Sequence, residues 1–213
     1  MNNAVSLLAV ALALVAAPAD ASQPGSAAMA KYKAAWDSVR TYTCRVTSHE
    51  ELGARVQDFT YDFSFQKPAK ARMDITAGDN KGRAVVYTGG DFLTGRQSGF
   101  ISFIKLRLNV HDRRVTSMRG ATIAQANFGS LYDHLAALKS ASRTASRAGK
   151  DIVLTIVVAS PATDGGITKE VVALGSAGLP VVYDEYQGTQ RVKRVTFDDL
   201  KLNVPLPPST FTL

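Results

Sequence analysis

The sequence predicts a mainly β protein: an incomplete antiparallel β-barrel covered on one side by an N-terminal helix and a helical insert. Three observations carry this expectation. Phe59, Tyr61, Phe63 and Phe65 share one parity, while Asp58, Thr60, Asp62, Ser64 and Gln66 share the other, and only a strand sends those two sets to opposite faces. Further alternating runs follow, separated by Gly/Asp/Asn clusters at the spacing of an antiparallel meander that curls into a barrel. Two segments leave this period of two for helical spacing.

The 213 residues fit a single domain, 22–213, once a targeting segment is set aside. Residues 4–17, AVSLLAVALALVAA, form an apolar run too short to span a bilayer comfortably. Pro18 and Ala19-Asp20-Ala21 then supply the small residues of a cleavage site, so 1–21 reads as a signal peptide cut after Ala21. A retained anchor is the competing reading. The single cysteine, Cys44, allows no internal disulfide and lies in an alternating stretch, which favours a buried, inert thiol. The formal net charge is +7. Such a surface suits anionic partners, and export favours phospholipid headgroups over nucleic acid. Simple solubility explains the charge equally well.

Each element follows from its pattern. Met29, Tyr32, Trp36 and Val39 recur at helical spacing. Tyr42, Cys44 and Val46 then alternate with Thr43, Arg45 and Thr47. After the aromatic strand and Pro68, Met73 and Ile75 continue the pattern, and 83–88, with Val85 and Tyr87, forms a short strand. Gly89-Gly90-Asp91 turns the chain so that Phe92–Thr94 can pair back. Ile104, Leu106, Leu108 and Val110 alternate with polar residues in another half-buried strand. In 122–140, Phe128, Leu131, Leu135 and Leu138 have helical spacing, with Gly129 expected to split off a helix beginning near Ser130. Residues 140–150, SASRTASRAGK, read as a basic loop. Residues 152–158, IVLTIVV, read as a strand covered on both faces. Strands at 168–174, 180–186 and 191–203 close the meander, the last with a bulge near Asp198-Asp199, where its apolar parity shifts.

The sequence carries no recognisable catalytic motif. Its three histidines, His49, His111 and His134, lack partners at metal-ligand spacing and read as surface residues. Nucleophile-elbow, phosphate-loop and dinucleotide-loop patterns are absent. The expectation is therefore a protein without enzymatic activity, cofactor or metal, although a hydrolase assembled from dispersed residues stays open. Basic residues flank the helical insert: Arg113 and Arg114 before it, Arg143, Arg147 and Lys150 after it. They are candidates for a rim meeting an anionic membrane or a membrane-protein partner, against the plainer reading of solvated loops. The aromatic stripe would fill a small closed barrel or line the hollow of a wider, unclosed one.

This order of elements resembles the LolA-like superfamily of outer-membrane lipoprotein carriers and sorting proteins. The resemblance lies in FTYDFSFQKPAKARMDI at 59–75, GGDFL at 89–93 and GLPVVYDEYQGTQRVKRVTFDDLKLNVPLPPSTF at 178–211. It covers nearly the whole mature chain through loose motifs, and it is nearer to uncharacterised bacterial branches than to the dedicated carrier. It implies a helix-covered, incomplete barrel and a periplasmic carrier of a lipid or lipidated protein, and the chain is expected to be a monomer. The dedicated carrier depends on an arginine inside the barrel that meets the lid. Arg45 and Arg72 lie on strands, but neither sits in a motif that fixes the alignment. The cavity candidates are Tyr42, Val46, Phe59, Tyr61, Phe63, Phe65, Met73, Ile75, Val85 and Tyr87 on the strands, with Phe128, Leu131 and Leu135 as the lid. The competing reading is an envelope scaffold module with a solid core and no small ligand.

Overall fold

The computed structural model describes residues 23–99 and 104–213. The expected signal peptide therefore lies outside the described residues. Helix α1 (Gln23–Ser38) precedes six strands: β1 (Thr41–Leu52), β2 (Arg55–Gln66), β3 (Lys70–Gly78), β4 (Ala84–Tyr87), β5 (Phe92–Arg96) and β6 (Lys105–Asn109). Helix α2 (Phe128–Ala137) follows, then β7 (Ser140–Ala148), β8 (Asp151–Val158), β9 (Lys169–Leu174), β10 (Pro180–Gln187) and β11 (Gln190–Leu202). All eleven strands form one sheet, in the order β6-β5-β4-β3-β2-β1-β11-β10-β9-β8-β7. Every pairing is antiparallel. Among the described residues β6 and β7 do not pair with each other, so the barrel stays open.

Alternation places one parity of each strand on the concave face. Tyr42, Cys44 and Val46 of β1 are buried there beside Phe63 and Phe65 of β2. Burial pushes the Cys44 thiol up to about 12, consistent with an unreactive group. Helix α1 turns Ala28, Met29 and Tyr32 inward, and the Tyr32 hydroxyl donates to the Phe128 carbonyl at 2.6 Å. Phe128 stacks on Tyr42 with ring centroids 4.7 Å apart and meets Phe197 edge-on at 5.0 Å. These contacts fill the half of the barrel nearest α1. The bulge falls where the parity shift places it: the β1–β11 register slips between Thr43 and Arg45, opposite Lys201 and Asp198, and Asp199 adopts φ +53°.

Three expectations need correction. Residues 140–148 are not a loop but the edge strand β7, zipped to β8 from Ser140 to Ala148. Their small polar composition suits an edge that meets solvent on its outer face. Strand β8 is not covered on both sides: Leu154, Ile156 and Val158 are buried, but Val157 on the opposite parity is 39% exposed. Gly129 does not break the insert, because α2 already begins at Phe128 with Asn127 as its N-cap, accepting from the Ser130 amide. Gly129 is there for clearance, since a Cβ on it would lie 2.6 Å from the Trp36 ring.

Candidate functional site: a half-apolar cavity under the α2 cover

Beyond the packed half, the barrel holds a half-open cavity of about 740 Å³. Its apolar floor comes from Phe59 and Tyr61 of β2, Met73 and Ile75 of β3, and Val85 of β4. Leu106 and Leu108 of β6 extend it, with Gly95 of β5 between Val85 and Leu106 in the register. The roof is the segment from Arg114 into α2, including Ile123, Phe128 and Leu131. A volume of this size lies within the roughly 300–1,000 Å³ typical of small-molecule sites.

Of the candidates named from sequence, Phe59, Tyr61, Met73, Ile75, Val85, Phe128 and Leu131 line this space. Tyr42, Val46, Phe63, Phe65 and Leu135 are instead buried in the core, and Tyr87 packs against it. Among the basic candidates, Arg114 borders the cavity and is held by Asp112 at 2.6 Å. Arg113 beside it is exposed. Arg143 is not a free rim group: its guanidinium donates to the carbonyls of Leu135 and Leu138 at 2.8 and 2.9 Å, closing the C-terminus of α2. Arg147 lies near the end of β7, and Lys150 sits at the β7–β8 turn. Neither lines the cavity.

The sequence reading missed the polar wall. The inward parity becomes charged toward one end of the sheet, where the pairing register aligns Gln57, Glu50, Lys193, Glu185 and Glu170 across five neighbouring strands. Glu50 and Glu170 are each 1% exposed. Lys193 lies 3.6 Å from Glu50 and 3.2 Å from Glu185. Arg119, from the roof, lies 3.6 Å from Glu185. Its backbone amide donates to Glu50 at 3.0 Å, and its Nη1 donates to the Glu51 carbonyl at 2.9 Å. The Tyr183 hydroxyl is within 2.9 Å of Glu170 and 3.0 Å of Glu185. Burial, reinforced by those two carboxylates, raises its pKa well above the ordinary value.

His134, read from sequence as a surface residue, is exposed and also makes an interelement contact. Its Nε2 meets Glu170 at 2.8 Å, tying α2 to β9. That hydrogen bond raises its pKa, against an opposing desolvation effect. Arg83, Arg96, Arg114 and Arg119 line the cavity, and neither Arg45 nor Arg72 does. Arg45 faces outward to Asp62 at 3.1 Å. Arg72 pairs with Asp74 and donates to the carbonyls of Thr210 and Thr212 in the C-terminal tail. Among the described residues no serine, threonine or cysteine hydrogen-bonds a histidine side chain, and no cluster of three His, Cys, Asp or Glu could hold a metal ion.

The chain is similar to the lipoprotein LppX of Mycobacterium tuberculosis, with 14% identity over 86% of this chain and 97% of that one and a TM-score of 0.50. It also matches the LolA superfamily protein NE2245 of Nitrosomonas europaea at 13% identity, covering 89% and 98% of the two chains with a TM-score of 0.47. A lipoprotein-sorting protein domain from Vibrio parahaemolyticus matches at 12% identity, over 91% and 97%, with a TM-score of 0.46. No family model matches the sequence. No curated protein matches it either.

Proposed function

We propose that this protein is an exported, periplasmic carrier that holds the acyl chain of a lipid or lipidated protein in the cavity beneath α2. The observation that supports this is the cavity itself: about 740 Å³ beside an aromatic and aliphatic floor, in a domain whose other half is fully packed. A core that needed only stability would close such a space, because unfilled volume forfeits dispersion contacts and costs stability. Burial of an acyl chain supplies about 0.8 kcal/mol per methylene, enough for tight binding by one chain. Among the described residues no helix is long and apolar enough to cross a membrane. A leader cut after Ala21 would release the domain, and one copy of the chain holds the whole cavity. Exposed Arg113 and neighbouring Arg114 would face an anionic bilayer as the cargo is exchanged.

Native mass spectrometry of protein released from an envelope fraction without detergent tests this reading. The expected spectrum shows a bound amphiphile that is lost on delipidation and restored by a fluorescent fatty acid such as cis-parinaric acid. Adduct-free protein that fails to bind the probe would overturn it and leave the scaffold reading.

A further inference from the structure

We infer that the charged wall of the cavity is a head-group site for a zwitterionic amphiphile, one whose head carries both a phosphate-type anion and a protonated amine. The inference rests on the carrier reading, which the floor alone supports. The wall adds which cargo the cavity takes.

The wall carries both signs of charge. Arg119, Lys193, Glu50 and Glu185 border the same space as Phe59 and Tyr61, and Arg83, Arg96, Arg114 and Asp133 also line it. A bare anionic head would meet both cations but also both carboxylates. A bare cationic head would meet the reverse. A head bearing both charges can set its anion against Arg119 and Lys193 and its ammonium against Glu185 and Glu50, so that each transferred charge is compensated on arrival.

The wall also has unspent hydrogen-bonding capacity. Lys193 has three donors and its side chain is 14% exposed, yet its nearest carboxylate oxygens stand at 3.2 and 3.6 Å. The Arg119 side chain is 10% exposed and approaches Glu185 only to 3.6 Å. Elsewhere in the protein ion pairs range from 2.6 Å for Arg72–Asp74 to 3.9 Å for Arg191–Asp184. Charge-assisted hydrogen bonds ordinarily span about 2.7–2.9 Å, so the contacts of Lys193 and Arg119 to these carboxylates fall outside that range. The spacing leaves the donors and acceptors available to a guest lying between them. Tyr183, at hydrogen-bond distance from both Glu170 and Glu185, has a single proton for two carboxylates, so one of those oxygens can accept from a guest ammonium.

The position fits an amphiphile lying along the sheet. Moving from β11 to β2, the register row next to the charged one reads Val195, Ser48 and Phe59, and the row after it Phe197, Val46 and Tyr61. A head at Lys193 and Glu185 therefore leads its chain directly onto the apolar floor.

Displacement of cis-parinaric acid from the mature protein by three single-chain competitors with the same palmitoyl tail tests the inference. They are lysophosphatidylethanolamine, lysophosphatidylglycerol and monopalmitoylglycerol. The zwitterion is expected to displace the probe at about tenfold lower concentration than the other two, equivalent to about 1.4 kcal/mol. Lys193→Met and Glu185→Gln are each expected to erase that preference, read as the ratio of displacing concentrations within each variant, and an unchanged far-ultraviolet circular dichroism spectrum serves as the check that each variant folds. Lys193→Arg, which keeps the charge, is expected to retain it. Equal displacement by all three lipids, or a preference that survives both variants, overturns the inference and leaves the carrier reading intact. Failure of the wild-type protein to bind the probe overturns both.

Discussion

Gly95→Leu separates a cavity kept open for cargo from one that is merely unfilled. Gly95 is buried on the concave face, and the nearest atom to a Cβ built on it is the Ala84 carbonyl oxygen at 4.0 Å. Its φ is not positive, so a side chain fits the backbone without strain. The register puts it between Val85 and Leu106, both of which line the cavity. A leucine there places four carbons where a ligand chain would run. Displacing about four methylenes at about 0.8 kcal/mol each removes roughly 3 kcal/mol of binding, or roughly 200-fold in affinity if the ligand cannot shift. Sliding of the chain along the floor would reduce this to about tenfold or more. Stability should move the other way. Replacing glycine within a strand restricts the unfolded chain and adds buried apolar surface, so the urea midpoint is expected to hold or rise. Titration of a fluorescent fatty acid alongside urea denaturation reads both quantities. Unchanged affinity in a variant at least as stable as wild type would refute the reasoning, because the ligand could not then lie on this floor.

Other expected outcomes follow from particular contacts. Gly129→Ala forces a methyl against Trp36 at 2.6 Å and should cost about 1–3 kcal/mol in a urea melt, with Trp36→Phe in the same chain recovering part of the loss. Because pairing with Glu170 raises the His134 pKa above 6.5, its contribution is complete below that value and disappears as the pH rises through the raised one. Asp164 and Glu185 act in the same direction. Wild type should therefore exceed His134→Gln in stability at pH 5.5 by more than at pH 8.5, and an equal gap at both would contradict the pairing. Replacing Arg113 with glutamine should weaken sedimentation with anionic vesicles at low salt without altering fatty-acid binding, and equal sedimentation with neutral vesicles would dispose of a charged contact.

The fold was legible because burial writes a period into the chain. The stripe from Phe59 to Phe65 fixed β2, and the parity shift after Phe197 located the bulge. The failures have physical causes. Strand β7 lacks apolar alternation, since it is an edge whose outer parity meets solvent, so nothing in SASRTASRA separates it from a loop. Gly129 was read as a helix breaker because sequence shows a missing side chain but not the Trp36 ring that requires it. The division of the apolar residues between floor and core was invisible, since Phe59 and Phe63 share one strand face and differ only in how far along the barrel they lie. The polar wall had a readable signal that went unused. Glu50, Glu170, Glu185 and Lys193 all fall on the inward parity of their strands, where charge is expensive and therefore informative.

The most direct measurement is a crystal structure of the mature protein with a fatty acid brominated along its tail, read from the anomalous signal of bromine. Peaks are expected beside Phe59, Met73 and Leu131, beneath α2. Bromine found only on the outer face, with the hollow closed by its own side chains, would contradict it.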